Sequence, residues 1–292
     1  MTRLAESVVV VTGGASGIGR ALAERCAAQG ARVAVVDLDA DGAQAVAAEL
    51  PGGLALGLDV TDEQAVRAAA QRIESDLGPI DVWCSNAGIV GGAGLGADSA
   101  WDATYRVHVL AHVYVARHVL PGMLARGRGH IMLTASAAGL LTEMDAAPYS
   151  VTKHGTVALA EWLAIQHPGA GVTFSCLCPQ GVQTPMTAGL LEDAAVRAAG
   201  RFLDPTEVAD AVLAAWDVAF LSDSGEAGVR GFLILPHPEV AEYERRRATD
   251  RDRWLSAMSR TRARLSGSSR AARDEREGRT DSGALSGVVA AD

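Results

Sequence analysis

The sequence predicts an α/β protein built on one doubly wound parallel sheet, and three observations carry that prediction. Seven short apolar runs alternate with longer amphipathic, Ala-rich stretches. The runs are apolar along their length, as strands covered on both faces must be. No internal repeat interrupts the alternation, and 292 residues, 49% apolar and 21% charged, suffice for one large core with an appendage.

In chain order, the valines at 8–11 form the first run and stop at Thr12-Gly13-Gly14, after which helical period covers 18–29. Residues 32–36 and 54–58 are the next runs, each followed by a helical stretch, 41–50 and 62–76. The runs 82–84, 130–133 and 172–177 are separated by helical stretches at 101–126 and 147–167. Asp204-Pro205-Thr206-Glu207 then opens a helix over 205–221, with Asp at the N-cap, Pro at N1 and Glu at N3. A last run at 232–235 is ended by Pro236-His237-Pro238. About seven strands with helices on both faces are therefore expected in a domain spanning 1–238. A charged helical extension follows at 239–265, and 266–292, rich in Ser, Gly, Ala and charge, is expected to be a disordered tail.

Eight arginines against three acids give 244–265 a charge of +5, and four arginines against five acids leave 266–292 at −1, so of a total of −9 the first 243 residues carry −13. A body that acidic argues against binding a phosphate backbone, so no nucleic-acid partner is expected. No apolar run approaches membrane-spanning length and the start lacks a signal-peptide core, which gives the expectation of a cytoplasmic protein with no membrane partner. Cys26, Cys84, Cys176 and Cys178 have no metal-ligand spacing, and reduced thiols and no metal are expected.

Thr12-Gly13-Gly14-Ala15-Ser16-Gly17-Ile18-Gly19 lies between the valine run and a helix. Glycines in that context permit a tight turn and the close approach of a pyrophosphate to a helix N-terminus, although an ordinary strand-to-helix turn uses the same residues. Asp37 ends the second run 20 residues after Gly17, where an acid would hydrogen-bond adenosine ribose hydroxyls and repel a 2′-phosphate. Neither Ser16 nor Leu38 offers a compensating charge, so NAD is favoured over NADP.

Of 26 basic residues 25 are Arg, and the single Lys is Lys153, four residues after Tyr149 on one helix face. A phenol of ordinary pKa near 10 is a poor base at neutral pH, and an adjacent ammonium lowers that value toward the working range.

At this point the chain resembles the short-chain dehydrogenase/reductase family in its compact form, over about residues 5–236. Thr12, Gly13, Gly17 and Gly19 match the T-G-x-x-x-G-x-G motif, with Ser16 and Ile18 between them. Asp59-Val60 matches the adenine-contacting acid, and Ser85-Asn86-Ala87-Gly88 matches N-N-A-G with Ser in first place. Ser136 matches the catalytic serine, and Pro179-Gln180-Gly181-Val182-Gln183-Thr184 resembles P-G-x-V-x-T. The resemblance implies a single Rossmann-type sheet binding NAD. It makes Tyr149 the general acid/base, Lys153 the group that lowers its pKa and holds the nicotinamide ribose, and Ser136 the hydrogen-bonding partner of the substrate oxygen. Pro179, Val182 and Thr184 would face the nicotinamide. A homo-oligomer, dimer or tetramer, is implied as well.

Three departures stand out. His108 occupies the place of a helix-borne Asn that supports a proton relay to the lysine, so it either substitutes in the relay or packs. Paired with His112 at i and i+4 it invites a metal reading, but no third ligand is near. Gln180 replaces a Gly, and Pro236-His237-Pro238 replaces the usual V-D-G-G; His237 is read as a turn residue. Loops at 89–97, 140–147 and 184–202, lined mainly by Leu, Ala, Met and Gly, point to a neutral, apolar secondary alcohol or ketone. The extension, with Tyr243, Trp254, Leu255 and Met258 among its arginines, is read as covering a neighbouring subunit or the substrate cleft, binding anionic surfaces, or docking on the acidic body. Two functions stay open: an active NAD-dependent alcohol dehydrogenase or ketone reductase, and a catalytically impaired NAD-binding sensor or scaffold.

Overall fold

The computed structural model describes residues 4–189, 201–221 and 231–264. Seven parallel strands, β1 (Val8–Thr12), β2 (Arg32–Asp37), β3 (Leu54–Gly57), β4 (Ile80–Ser85), β5 (Gly129–Thr134), β6 (Val172–Leu177) and β7 (Leu233–Ile234), form one sheet in the order β3-β2-β1-β4-β5-β6-β7. Each coincides with a run read from the sequence. The helices in chain order are α1 (Gly17–Ala28), α2 (Ala40–Ala48), α3 (Glu63–Leu77), α4 (Asp98–Tyr105), α5 (Ala111–His118), α6 (Leu120–Arg126), α7 (Ala138–Leu141), α8 (Ala147–Gln166), α9 (Pro205–Leu221), α10 (Glu239–Thr249) and α11 (residues 251–264).

Alternation along β1 explains its unbroken valines. Val8 and Val10 enter one core with Trp83, Ile131 and residues of α3, α5 and α8, while Val9 and Val11 enter a second with Leu22 of α1, Val46 of α2 and Val212 of α9. A polar residue at any of the four positions would be buried without a partner. The strand order reverses beside β1, which pairs with β2 on one side and β4 on the other, so the carboxyl ends of β1 and β4 flank a crevice.

The helix expected at 101–126 is divided. A five-residue π turn, Arg106–Leu110, separates α4 from α5, and Pro121, lacking an N–H, sits in the first turn of α6. The opening of α9 is as expected, with Glu207 accepting from the Asp204 N–H and Asp204 from that of Thr206.

Helices α10 and α11 fold back beside α7 and α8. Val240 is buried in the first core, the Tyr243 and Trp254 ring centroids are 6.3 Å apart, and Arg262 pairs with Asp145 at 2.8 Å. The predicted tail at 266–292 lies outside the described residues, as do residues 190–200 of the third predicted loop. Among the described residues no helix is long and apolar enough to cross a membrane.

Candidate active site

The turn from β1 to α1 forms the floor of the crevice. Gly17 has a left-handed φ of 52°, and a Cβ there would come within 2.9 Å of Thr184 Cγ2. A Cβ at Gly19 would collide with the Gly13 carbonyl, so glycine lets α1 start against the strand end. Ser16 makes no side-chain cap and the first turn of α1 holds no acid, which leaves its amides to an anion. Thr12 Oγ1 accepts from the N–H groups of Asn86 (2.9 Å) and Ala87 (3.1 Å), and Asn86 reaches the Thr12 carbonyl and the Thr134 hydroxyl. These two side chains therefore tie β1, β4 and β5 together behind Gly88.

Asp37, at the end of β2, accepts from the Ala15 and Asp39 N–H groups, both at 3.0 Å. Asp59 is exposed after β3 and accepts from the Thr61 N–H at 2.8 Å, with half-buried Val60 beside it. The open helix start and the Asp37 carboxylate fit the pyrophosphate and ribose of a dinucleotide.

Ser136, Tyr149 and Lys153 meet beyond β5. The Lys153 ammonium is buried, donates to the Thr134 carbonyl at 2.9 Å and stands 5.7 Å from the centre of the Tyr149 ring. Burial holds the Lys153 pKa down to about 8. Tyr149 differs from the sequence expectation. Its pKa is raised, because burial disfavours the phenolate more than the hydrogen bond with Ser136 favours it, with Glu143 adding to the rise. The phenol is thus held in its proton-donating form.

His108, in the π turn, is fully buried with both ring nitrogens engaged. Nε2 accepts from the Ile89 N–H at 3.2 Å, so the proton is assigned to Nδ1, which donates to Thr152 Oγ1 at 2.9 Å; Thr152 in turn donates to the Pro148 carbonyl. Burial first, then the charge of Lys153, pushes its pKa far below the usual imidazole value. The ring sits edge-on to Tyr149 at 5.4 Å. Its only acceptor is taken by Ile89, and of the two readings left open for it, relay or packing, these bonds show a contact between the Gly88-Ile89 loop and α8. His112 is bonded to Ser85 at 2.6 Å. Among the described residues no group of three or more His, Cys, Asp or Glu side chains is gathered for a metal.

The segment after β6 is held from an unexpected side. His237 is buried; its Nδ1 accepts from the Gln180 N–H and its Nε2 donates to the Gly181 carbonyl, each at 3.1 Å. The Pro179 carbonyl accepts from Ala137, Val182 is buried, and Thr184 caps a short 3-10 turn (Pro185–Thr187). Reading His237 as a turn residue missed this clasp, because its partners lie more than fifty residues away and leave no local signal.

Residues 7–195 match the family described as short chain dehydrogenase. The chain belongs to that family. It is 41% identical over 197 residues, 64% of this chain and 73% of its counterpart, to 1-deoxy-11-beta-hydroxypentalenate dehydrogenase of Streptomyces avermitilis. It is 36% identical over 231 residues, 75% and 92% of the two chains, to meso-2,3-butanediol dehydrogenase of Serratia marcescens. A short chain dehydrogenase/reductase from Burkholderia phymatum, solved in complex with NAD, matches with a TM-score of 0.74 at 28% identity, over 86% of this chain and 96% of that one. This short-chain dehydrogenase is an oxidoreductase acting on CH–OH groups of a small molecule, and its Rossmann-like sheet binds a nicotinamide cofactor.

Beside Ser136 and Tyr149 the dehydrogenase has a cavity of about 1580 Å³ that both residues line. Val90, Met144, Met186 and Phe202 contribute apolar lining from the three predicted loops and the end of the third. One whole wall comes from α10 and α11, with Tyr243, Trp254, Met258 and Arg253 among its residues.

Proposed function

We propose that the chain is an NAD-dependent dehydrogenase of secondary alcohols with an apolar body, or a reductase of the corresponding ketones. The observation that carries this reading is that Ser136 and Tyr149 share one cavity, with buried Lys153 directly behind Tyr149. The bound nicotinamide accepts or supplies the hydride. The chain supplies position and the proton. The Ser136 hydroxyl donates a hydrogen bond to the substrate oxygen, and the Tyr149 hydroxyl gives that oxygen a proton in reduction or takes it in oxidation. Lys153 opposes the build-up of negative charge on Tyr149 and holds the nicotinamide ribose, while Thr184 and Val182 bound the nicotinamide side.

Asp37 supports NAD over NADP. Its carboxylate is fixed by two backbone N–H groups at the end of β2, a like charge to any 2′-phosphate placed there. Asp59 and Val60 are proposed beside the adenine and Gly13 to Gly19 beneath the pyrophosphate. Relatives named for a hydroxypentalenate and a butanediol support an alcohol substrate. The four cysteines are free and buried, which fits a reducing compartment such as the cytoplasm. Outward-facing Val151, Trp162 and Ile165 on α8 support a homo-oligomer.

The test is Tyr149→Phe. It should leave NAD binding nearly intact while turnover of a panel of secondary alcohols falls by roughly 10²–10⁴. A Tyr149→Phe enzyme with unchanged kcat removes the mechanism.

A further inference from the structure

The three loops around the cavity predict a neutral substrate, but the wall formed by α10 and α11 has a different chemistry. We propose that the substrate of this dehydrogenase carries a carboxylate or similar anionic group, remote from its carbinol carbon, that Arg253 receives. The inference rests on the dehydrogenase reading above and adds the charge of the substrate to it.

Arg245, Arg246, Arg253 and Arg264 line the same cavity as Ser136 and Tyr149. The lining carboxylates are already engaged. Glu143 accepts from the N–H groups of Asp145 and Ala146, and Asp145 pairs with Arg262. Glu242 takes both Arg245 and Arg246, and Asp250 caps α11 through the Arg253 N–H. Arg264 donates to the Thr261 hydroxyl. The guanidinium of Arg253 is the exception: among the described residues it has neither an ion pair nor a side-chain hydrogen bond, only its backbone being used. It therefore presents a planar, two-pronged donor that matches a carboxylate.

The surroundings supply what an exposed arginine lacks. Tyr243, Trp254 and Met258 line the cavity from the same two helices, so a hydrocarbon body can fill the space between Tyr149 and Arg253. At about 1580 Å³ the cavity exceeds the roughly 300–1,000 Å³ of ordinary small-molecule sites, which leaves room for a body of several carbons between reacting carbon and anion. An ion pair in open water gains little, whereas one bordered by a packed apolar body is better shielded.

The experiment is calorimetric titration of the NADH-loaded, full-length enzyme with cyclohexanecarboxylate and with its neutral isostere cyclohexanecarboxamide. The carboxylate is expected to bind roughly five- to tenfold more tightly. Arg253→Gln should abolish that preference with little change for the amide, and Arg253→Lys should retain part of it. Arg251→Gln, an exposed neighbour outside the lining, should leave the preference unchanged. Equal affinity for the two probes, failure of both to bind at millimolar concentration, or a preference that survives Arg253→Gln overturns the inference. Turnover is read separately: oxidation of secondary alcohols without a carboxylate preference rejects the anion site and leaves the dehydrogenase reading standing. A carboxylate preference in a chain that oxidises no alcohol rejects the dehydrogenase reading.

Discussion

Replacing His237 by Ala removes a clasp whose cost follows from its two hydrogen bonds. The imidazole is 2% exposed and bridges the Gln180 N–H and the Gly181 carbonyl at 3.1 Å each. Leaving both groups without a partner costs about 1–3 kcal/mol apiece, so His237→Ala should lose about 2–6 kcal/mol. At about 2–4 °C per kcal/mol for a chain of this size, the melting temperature should fall by roughly 4–24 °C. The second effect is functional. The Gln180-Gly181 segment leads directly into Val182 and Thr184, and Thr184 packs against Gly17 at the start of α1. Loosening it should raise KM for NAD several-fold while kcat changes less. His237→Asn, whose amide keeps one acceptor and one donor, should recover part of both losses. Thermal melts and steady-state kinetics at varied NAD check this. A His237→Ala enzyme that melts within about 1 °C of the parent with the same KM for NAD refutes the clasp.

Three further outcomes are expected. NAD should bind about 10²–10³-fold more tightly than NADP, and Asp37→Ser should narrow that ratio at least about tenfold, because the fixed carboxylate opposes a 2′-phosphate; calorimetry showing equal affinities in the parent enzyme refutes it. His108→Leu should cost about 1–3 kcal/mol by orphaning the Ile89 N–H, the Thr152 hydroxyl keeping its bond to the Pro148 carbonyl, read by denaturant unfolding, and should lower kcat through the loop it holds; since burial keeps the imidazole neutral well below its usual range, no acidic limb in the pH-rate profile should belong to it. Tyr149 is raised by burial and so stays protonated through neutral pH. Oxidation, which needs the unprotonated form, should therefore accelerate from pH 7 upward, while reduction should weaken as Lys153, held to about 8, loses its charge. An oxidation rate independent of pH between about 6 and 10 contradicts that assignment.

Much of this molecule was legible because its strongest signals are local. A run of four valines can only be a strand with both faces buried, and Tyr149 and Lys153 share a helix face by spacing alone. Contacts made across long sequence separations were not legible. The replacement of a Gly by Gln180 and the unusual Pro-His-Pro ending look like two unrelated departures in sequence. In space they are one feature, since the imidazole of the second grips the backbone of the first. Ser85 and His112 pair in the same way. The pKa of Tyr149 was misjudged because a neighbouring ammonium is visible in sequence while burial is not. Covering the cleft was one of several readings open for the extension, because composition shows that it is arginine-rich and aromatic but not which side chains turn toward the cavity.

The π turn at Arg106–Leu110 makes the site intolerant of a change in residue count there. A π turn carries one more residue than the α-helix it interrupts, and each helical residue advances the chain by about 100°. Deleting any single residue between 106 and 110 would allow α4 and α5 to fuse into one regular helix. Because the extra residue is taken up within the turn itself, α4 and α5 would keep their facing, and the loss would fall on the widened turn that carries His108 to Ile89 and Thr152. The loop behind Gly88 would lose its anchor though none of its own residues had changed. A change of length in this turn is thus a change at His108, whichever of the five residues is removed.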